Sequence, residues 1–68
     1  MSNWLMLIRK EKEGKTQAEV AKEAGISQQA YCLIESGTNR PSVDTAKAIA
    51  AALHFEKYKL DWTKFFST

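Results

Sequence analysis

Two neighbouring glutamines, Gln28 and Gln29, offer the clearest chemistry that this sequence contains. Each side-chain amide has one acceptor and two donors, which allows it to pair with the N6 and N7 atoms of an adenine base. Cys32 and Leu33 follow one helical turn later, and their apolar groups can pack on the methyl group of thymine. These four residues are the expected base-reading set, with a preference for A·T pairs. The alternative is that the two glutamines are ordinary solvated surface side chains and that Leu33 is partly buried against the first or the fourth helix.

Neither catalysis nor metal binding is expected from the remaining reactive side chains. Cys32 and His54 could form a nucleophile and base, but no third partner that would orient the imidazole is visible. One cysteine and one histidine do not make a metal site, and a single cysteine excludes an internal disulfide. We therefore expect no enzyme and no cofactor. Cys32 on an outward helix face could at most act as a thiol sensor.

The length of 68 residues limits the sequence to one small domain, residues 1–68, without a large cleft. A net charge of +2 is mildly basic and compatible with a nucleic-acid partner. No apolar run approaches the roughly 18 residues of a membrane span, and the N-terminus lacks the basic start of a secretory signal. We therefore expect a cytoplasmic protein that contacts no membrane.

Two short amphipathic helices joined by a tight turn must position the glutamines. The first begins with a capping box made by Thr16 and Glu19 and ends at Gly25, where a positive φ costs glycine little. Ser27 is a favourable N-cap for the second helix, which Gly37 ends. The inward faces are expected to carry Val20, Ala21, Ala24, Ile26, Ala30, Tyr31 and Ile34. Such a pair is a helix-turn-helix, whose second helix can enter the DNA major groove.

Further helices before and after this pair predict an all-α fold of five helices. The first helix would be capped by Ser2 or Asn3 and would end at Gly14. The fourth would begin at Ser42, directly behind Pro41, in an alanine-rich segment. No stretch alternates apolar and polar residues as a strand does. The residues expected to face the core are Trp4, Leu5 and Ile8 in the first helix and Val43, Ala46, Ile49, Ala50 and Leu53 in the fourth.

The C-terminal segment is rich in aromatic residues. Asp61 can cap a last short helix, in which Trp62, Phe65 and Phe66 lie on or near one face. Part of this apolar area must fill the core, and the rest would form an exposed patch and the candidate interface of a C2 homodimer. Alternatively, all three rings close the core of a single chain. The connector before this helix has three anchors, Phe55, Tyr58 and Leu60.

Several short motifs occur in one order along the chain: Thr16-Gln17, Val20-Ala21, Gly25-Ile26-Ser27, Ile34-Glu35-Ser36-Gly37 and Arg40-Pro41-Ser42. In these motifs the chain resembles the DNA-binding domain of the phage repressor/Cro superfamily, the XRE-type regulators. The segment 61–66 looks like the ending of small prophage members. The resemblance covers nearly the whole chain. It implies a compact, lambda-repressor-like five-helix domain that binds double-stranded operator DNA, usually as a homodimer, and regulates transcription.

The resemblance also implies roles for single residues. Gln17 would bond a DNA phosphate and brace Gln28 from behind. Glu35 would turn inward and pair with Arg9, the one arginine of the first helix. The loop after the second helix of the pair would lie along the DNA backbone. The complete phosphate-binding set is Gln17, Ser27, Thr38, Asn39, Arg40 and Lys15.

The chain departs from the usual family pattern in three places. It is one residue longer between the apolar part of the first helix and Thr16, Lys15 stands where many members carry an apolar residue, and the connector 56–60 looks like an insertion. The expected function is a repressor that binds a pseudo-palindromic operator. The alternative is an antitoxin or other partner-binding protein, whose aromatic end would hold a toxin or antirepressor. A third hypothesis is a helix-turn-helix that has lost DNA binding.

Overall fold

The structure, a computed structural model, describes residues 4–66, which contain helices and turns but no strand. This confirms the prediction of an all-α fold. The predicted fifth helix is a 3₁₀-helix rather than an α-helix, and a further 3₁₀-helix lies in the connector before it. The predicted cap at Ser2 or Asn3 lies outside the described residues. The elements are α1 (Trp4–Leu7) with a π-helix (Ile8–Lys12), α2 (Gln17–Ala24), α3 (Gln28–Glu35), α4 (Val43–Ala52) and 3₁₀-helices at Phe55–Tyr58 and Trp62–Phe66.

The first helix changes from α to π geometry after Leu7. The amide of Glu13 donates to the carbonyl of Ile8 at 2.9 Å, five residues back, which is the π pattern. A π turn holds more residues than an α turn, so this segment can contain the extra residue noted in the sequence. Arg9 therefore still faces the core, and Gly14 ends the helix with a φ of 63°.

Local capping defines α2 and α3 as the sequence predicts. Thr16 Oγ1 accepts from the amide of Glu19 at 3.1 Å, and Glu19 Oε1 accepts from the amide of Thr16 at 2.8 Å. Gly25 ends α2 in the left-handed conformation with a φ of 75°. Ser27 then caps α3 by accepting from the amide of Ala30 at 3.1 Å. The helix-turn-helix is therefore built from contacts that span three or four residues.

The core lies between the two helices of this motif, α4 and the first helix. Its largest fully buried side chains are Tyr31, Phe55, Leu5, Ile49, Leu53 and Val20. The prediction for Val43 is wrong, because this residue is 46% exposed. Val43 is the first residue of α4, and Ala46, one turn later, is fully buried. Helical spacing identified the face correctly but not the turn at which the helix enters the core.

The last 3₁₀-helix packs against α4 and divides its aromatic rings between two environments. Phe65 stacks on Phe55 with ring centroids 5.9 Å apart and lies 5.2 Å from the ring of Trp4. Trp62 and Phe66 contact each other edge to face at 6.0 Å and remain half-exposed. Phe65 thus completes the core, whereas the other two rings lie at its border.

Glu13 joins the end of the first helix to the connector that follows α4. Its carboxylate, 6% exposed, accepts hydrogen bonds from the Tyr58 hydroxyl and from His54 Nδ1, the latter at 2.8 Å, and Lys57 Nζ lies 3.7 Å away. His54 and Lys59 adopt the left-handed conformation that brings the connector back to this position. The hydrogen bond from Tyr58, followed by that from His54, lowers the pKa of Glu13 to about 2.

Acid should therefore destabilise the protein through Glu13. The pKa of this carboxyl lies below its ordinary value of 4.5 in the folded state, so its contribution is present above pH 4.5 and is lost as the pH falls towards 2. We expect this contribution to be about 3 kcal/mol. Urea unfolding between pH 7 and pH 2.5 checks it. Glu13→Gln should be less stable at pH 7 and should flatten the acid dependence, whereas exposed Glu11→Gln should change neither. An unchanged acid dependence in Glu13→Gln would contradict the assignment.

Candidate nucleic-acid interface

The outward face of α3 carries the four residues predicted to read bases. Gln28 and Gln29 are exposed in its first turn, Cys32 is exposed one turn later, and Leu33 is half-buried. Together with Gln17 from the start of α2, these side chains line one shallow groove. The surface combines the amide donors and acceptors of three glutamines with the apolar groups of Cys32 and Leu33, which suits the edges of base pairs.

Gln17 is held by a contact that the sequence analysis did not predict. Its side-chain Nε2 donates to Glu35 Oε1 at 3.0 Å, across the interface between α2 and α3. The side chain is half-buried and also lines the surface depression next to Gln28. The inward orientation of Glu35 was expected from the family pattern, but nothing in the sequence indicated that Glu35 would reach Gln17 as well.

Arg9 and Glu35 form a nearly buried ion pair, with exposures of 9% and 8%. Arg9 Nε lies 2.7 Å from Glu35 Oε2, and Nη2 lies 3.1 Å from Oε1. The Arg9 Nη1 group donates to the carbonyl of Lys15 at 2.8 Å. Burial by itself would raise the pKa of Glu35, but hydrogen bonds from Arg9 and Gln17 outweigh it, so that pKa is lowered. Burial, followed by the charge of Glu35, raises the pKa of the adjacent Tyr31.

The loop after α3 presents three of the predicted phosphate-binding residues at the surface: Thr38, Asn39 and Arg40. The amides of Thr38 and Asn39 both donate to the carbonyl of Leu33, at 2.9 and 3.1 Å, which anchors the loop to the end of α3. The Arg40 guanidinium lies over the ring of Phe66, 5.9 Å from its centroid. A guanidinium stacked in this way keeps its N–H groups in the plane, where they can still donate.

Ser27 and Lys15, the two other residues predicted to bind phosphate alongside Gln17 and the loop, lie in different environments. Ser27 is exposed at the start of α3, where its hydroxyl oxygen accepts from the amide of Ala30. Lys15 instead points into the protein, and its ammonium group donates to Glu23 Oε1 at 2.7 Å and to the carbonyl of Ala52 at 2.8 Å. These two contacts hold the Lys15 ammonium group at the C-terminal end of α4.

The other predicted features of the chain do not converge on a reactive centre. Cys32 lies on α3, whereas His54 follows α4 and forms a hydrogen bond with Glu13. The two are therefore not brought together as nucleophile and base. Among residues 4–66, no three histidine, cysteine or acidic side chains are grouped so that they could hold a metal ion. None of the helices in this described range has the length and apolar composition that crossing a membrane requires.

Two helices joined at a left-handed glycine, with polar side chains on the outer face of the second, define a helix-turn-helix fold. A family model described as Helix-turn-helix matches residues 5–58. The chain is 48% identical over 66 residues to YqaF, an uncharacterized HTH-type transcriptional regulator of Bacillus subtilis (strain 168), covering 97% of this chain and 79% of that protein. The chain therefore belongs to the XRE-type helix-turn-helix family, as its motifs predicted. No solved structure is significantly similar to it.

Proposed function

We propose that the chain is a sequence-specific DNA-binding transcriptional regulator, a repressor acting in the cytoplasm. The observation that carries this proposal is the pair of exposed amides, Gln28 and Gln29, in the first turn of α3. In a helix-turn-helix this part of the second helix enters the major groove. The name of the similar protein from Bacillus subtilis, a transcriptional regulator, supports the same conclusion.

Base recognition would begin with Gln28. Its amide can accept from adenine N6 and donate to N7 in one bidentate pair, which discriminates strongly against the other bases. Gln29 would make a second amide contact with base edges in the same major groove. Cys32 and Leu33 would pack against thymine methyl groups, because neither side chain offers a strong hydrogen bond. The resulting operator would be rich in A·T pairs at the positions that α3 contacts.

Phosphate contacts would position α3 without reading the sequence. The start of α2 at Gln17 and the start of α3 at Ser27 offer amides at helix N-termini, which suit phosphate oxygens. On the far side of α3, the loop from Thr38 to Arg40 supplies donors and one full positive charge. Lys15 is not part of this proposed set, because its ammonium group is bonded within the protein.

Substituting Gln28 should distinguish base recognition from binding to the DNA phosphate backbone. We expect Gln28→Ala to lose about 1–3 kcal/mol of affinity for the operator and to relax the preference at one base pair. Arg40→Ala, the matched control, should weaken binding to all duplexes alike and reduce the salt slope by about one unit. Selection of bound sequences from a random duplex pool measures the base preference. Titration of the selected duplexes at several salt concentrations measures the affinity and the salt slope. If Gln28→Ala selected the same sequences with the same affinity, the base-reading role would be wrong.

We further propose that the protein binds DNA as a C2 homodimer through Trp62 and Phe66. These rings contact each other and remain half-exposed, while Phe65 is used in the core. A symmetric dimer would place its half-sites about 34 Å apart and would require a pseudo-palindromic operator. Sedimentation velocity with and without operator DNA tests this, with Trp62→Ala expected to weaken assembly. A monomer in both states would contradict the dimer.

The same half-exposed rings would serve a partner-binding protein, such as an antitoxin that holds a toxin, or a target for an antirepressor. Binding to random duplex at low salt discriminates between the two functions. A DNA-binding regulator should bind measurably and release the duplex steeply as salt is added. No binding even at low salt would exclude the regulator and favour the protein partner.

A further inference from the structure

We propose that Glu35 is a positioning residue for base recognition, because it determines which side of the Gln17 amide faces the groove beside Gln28. This inference rests on the proposed function and adds a residue that cannot contact DNA itself. Glu35 is the last residue of α3 and is only 8% exposed. Its influence would reach the duplex through one hydrogen bond to Gln17, which lies between Glu35 and the exposed amides.

The hydrogen bond between Gln17 and Glu35 has a fixed polarity. An ionised carboxylate can only accept, so Gln17 must turn its NH₂ group towards Glu35, as the 3.0 Å distance from Nε2 to Oε1 records. Arg9 donates to both carboxylate oxygens, at 2.7 and 3.1 Å, which keeps the carboxylate ionised and therefore an acceptor. The amide oxygen of Gln17 and its second N–H are left for partners other than Glu35.

This polarity affects Gln28, which lines the same groove as Gln17. Across this groove, the acceptor oxygen of Gln17 would accept from one N–H of Gln28. The oxygen of Gln28 and its second N–H then remain for a base, and this donor–acceptor pair is the one that adenine N6 and N7 require. A reversed Gln17 amide would offer only N–H groups at this point and would compete with the base for the Gln28 oxygen.

Glu35→Gln tests the inference with little change in shape. The amide introduced by this substitution has a single acceptor oxygen. If that oxygen keeps the shorter contact, with Arg9 Nε, an N–H faces Gln17 and the Gln17 amide reverses. We expect the preference at the base pair contacted by Gln28 to fall about tenfold, with affinity for random duplex and the salt slope unchanged. Arg9→Lys is the matched control, because it weakens the same ion pair but keeps the carboxylate acceptor. It should retain the base preference.

Gln17→Met provides a second test if Glu35→Gln folds poorly. It removes the amide, keeps a side chain of similar size and leaves the ion pair of Arg9 and Glu35 intact. We expect the same loss of preference, about tenfold, with no further loss when it is combined with Glu35→Gln. Unchanged preference in Gln17→Met, or an equal loss in Arg9→Lys, would overturn the inference while the proposed function stands.

Nuclear magnetic resonance of the free protein gives a readout that does not depend on DNA. One side-chain amide proton of Gln17 should be shifted and protected from exchange in the natural chain and in Arg9→Lys, but not in Glu35→Gln. Absence of this signature in the natural chain would overturn the inference. If the signature is present but the protein binds no duplex, the proposed function fails and the inference falls with it. These two failures are therefore distinguishable.

Discussion

Replacing Arg9 by methionine should remove most of the protein's free energy of unfolding at 25 °C. The substitution leaves the Glu35 carboxylate, which is 8% exposed, without its charged partner. Its remaining side-chain donor is then the neutral amide of Gln17. Removing one member of a buried ion pair costs about 3–5 kcal/mol, because the remaining charge is desolvated without compensation. A domain of this length has only about 5 kcal/mol of total stability. Circular dichroism at 222 nm during urea unfolding measures the loss.

The control for this prediction removes both charges. The double variant Arg9→Met with Glu35→Leu should regain most of the lost stability, because apolar side chains of similar volume can replace a buried pair at little cost. The same double variant should still lose base preference, since Gln17 has lost its acceptor. If Arg9→Met alone were as stable as the natural chain, the ion pair would not be buried in solution as described.

Phe55→Ala should cost about 3–5 kcal/mol, which is the usual range for truncating a buried phenylalanine. Phe55 is 2% exposed although it lies in a charged connector. Its ring stacks on Phe65 and meets the edge of Trp4, both with centroids 5.9 Å away. Truncation would therefore leave a cavity between the first helix and the last 3₁₀-helix, and this cavity would weaken their packing. Thermal and urea unfolding would both show the loss.

Phe66→Ala is the matched comparison for Phe55→Ala. The ring of Phe66 is half-exposed and contacts Trp62 and the Arg40 guanidinium at the border of the core. We expect a loss of about 1 kcal/mol or less, since most of the removed area is not buried. Equal losses in the two variants would mean that Phe66 is buried, and the proposed dimer surface would lose one of its two rings.

The helix-turn-helix could be predicted in detail from the sequence because its determinants are local. The capping box of Thr16 with Glu19 and the cap at Ser27 act over three residues, and Gly25 meets a backbone requirement at its own position. The helical period then separates buried Tyr31 from exposed Gln28 without knowledge of any other element. The period does not say where a helix enters the core, which is why Val43 was assigned wrongly.

The contacts that complete the fold and the site join residues far apart in the chain, and only the packing of the helices brings them together. Lys15 reaches the carbonyl of Ala52, 37 residues away, and Glu13 accepts from Tyr58 across 45 residues. Gln17 finds Glu35 only because α2 packs against α3 at a particular depth. Composition and period carry no information about such depths and angles. They predicted which residues lie on the outward face of α3, whereas tertiary packing decided how those residues are held.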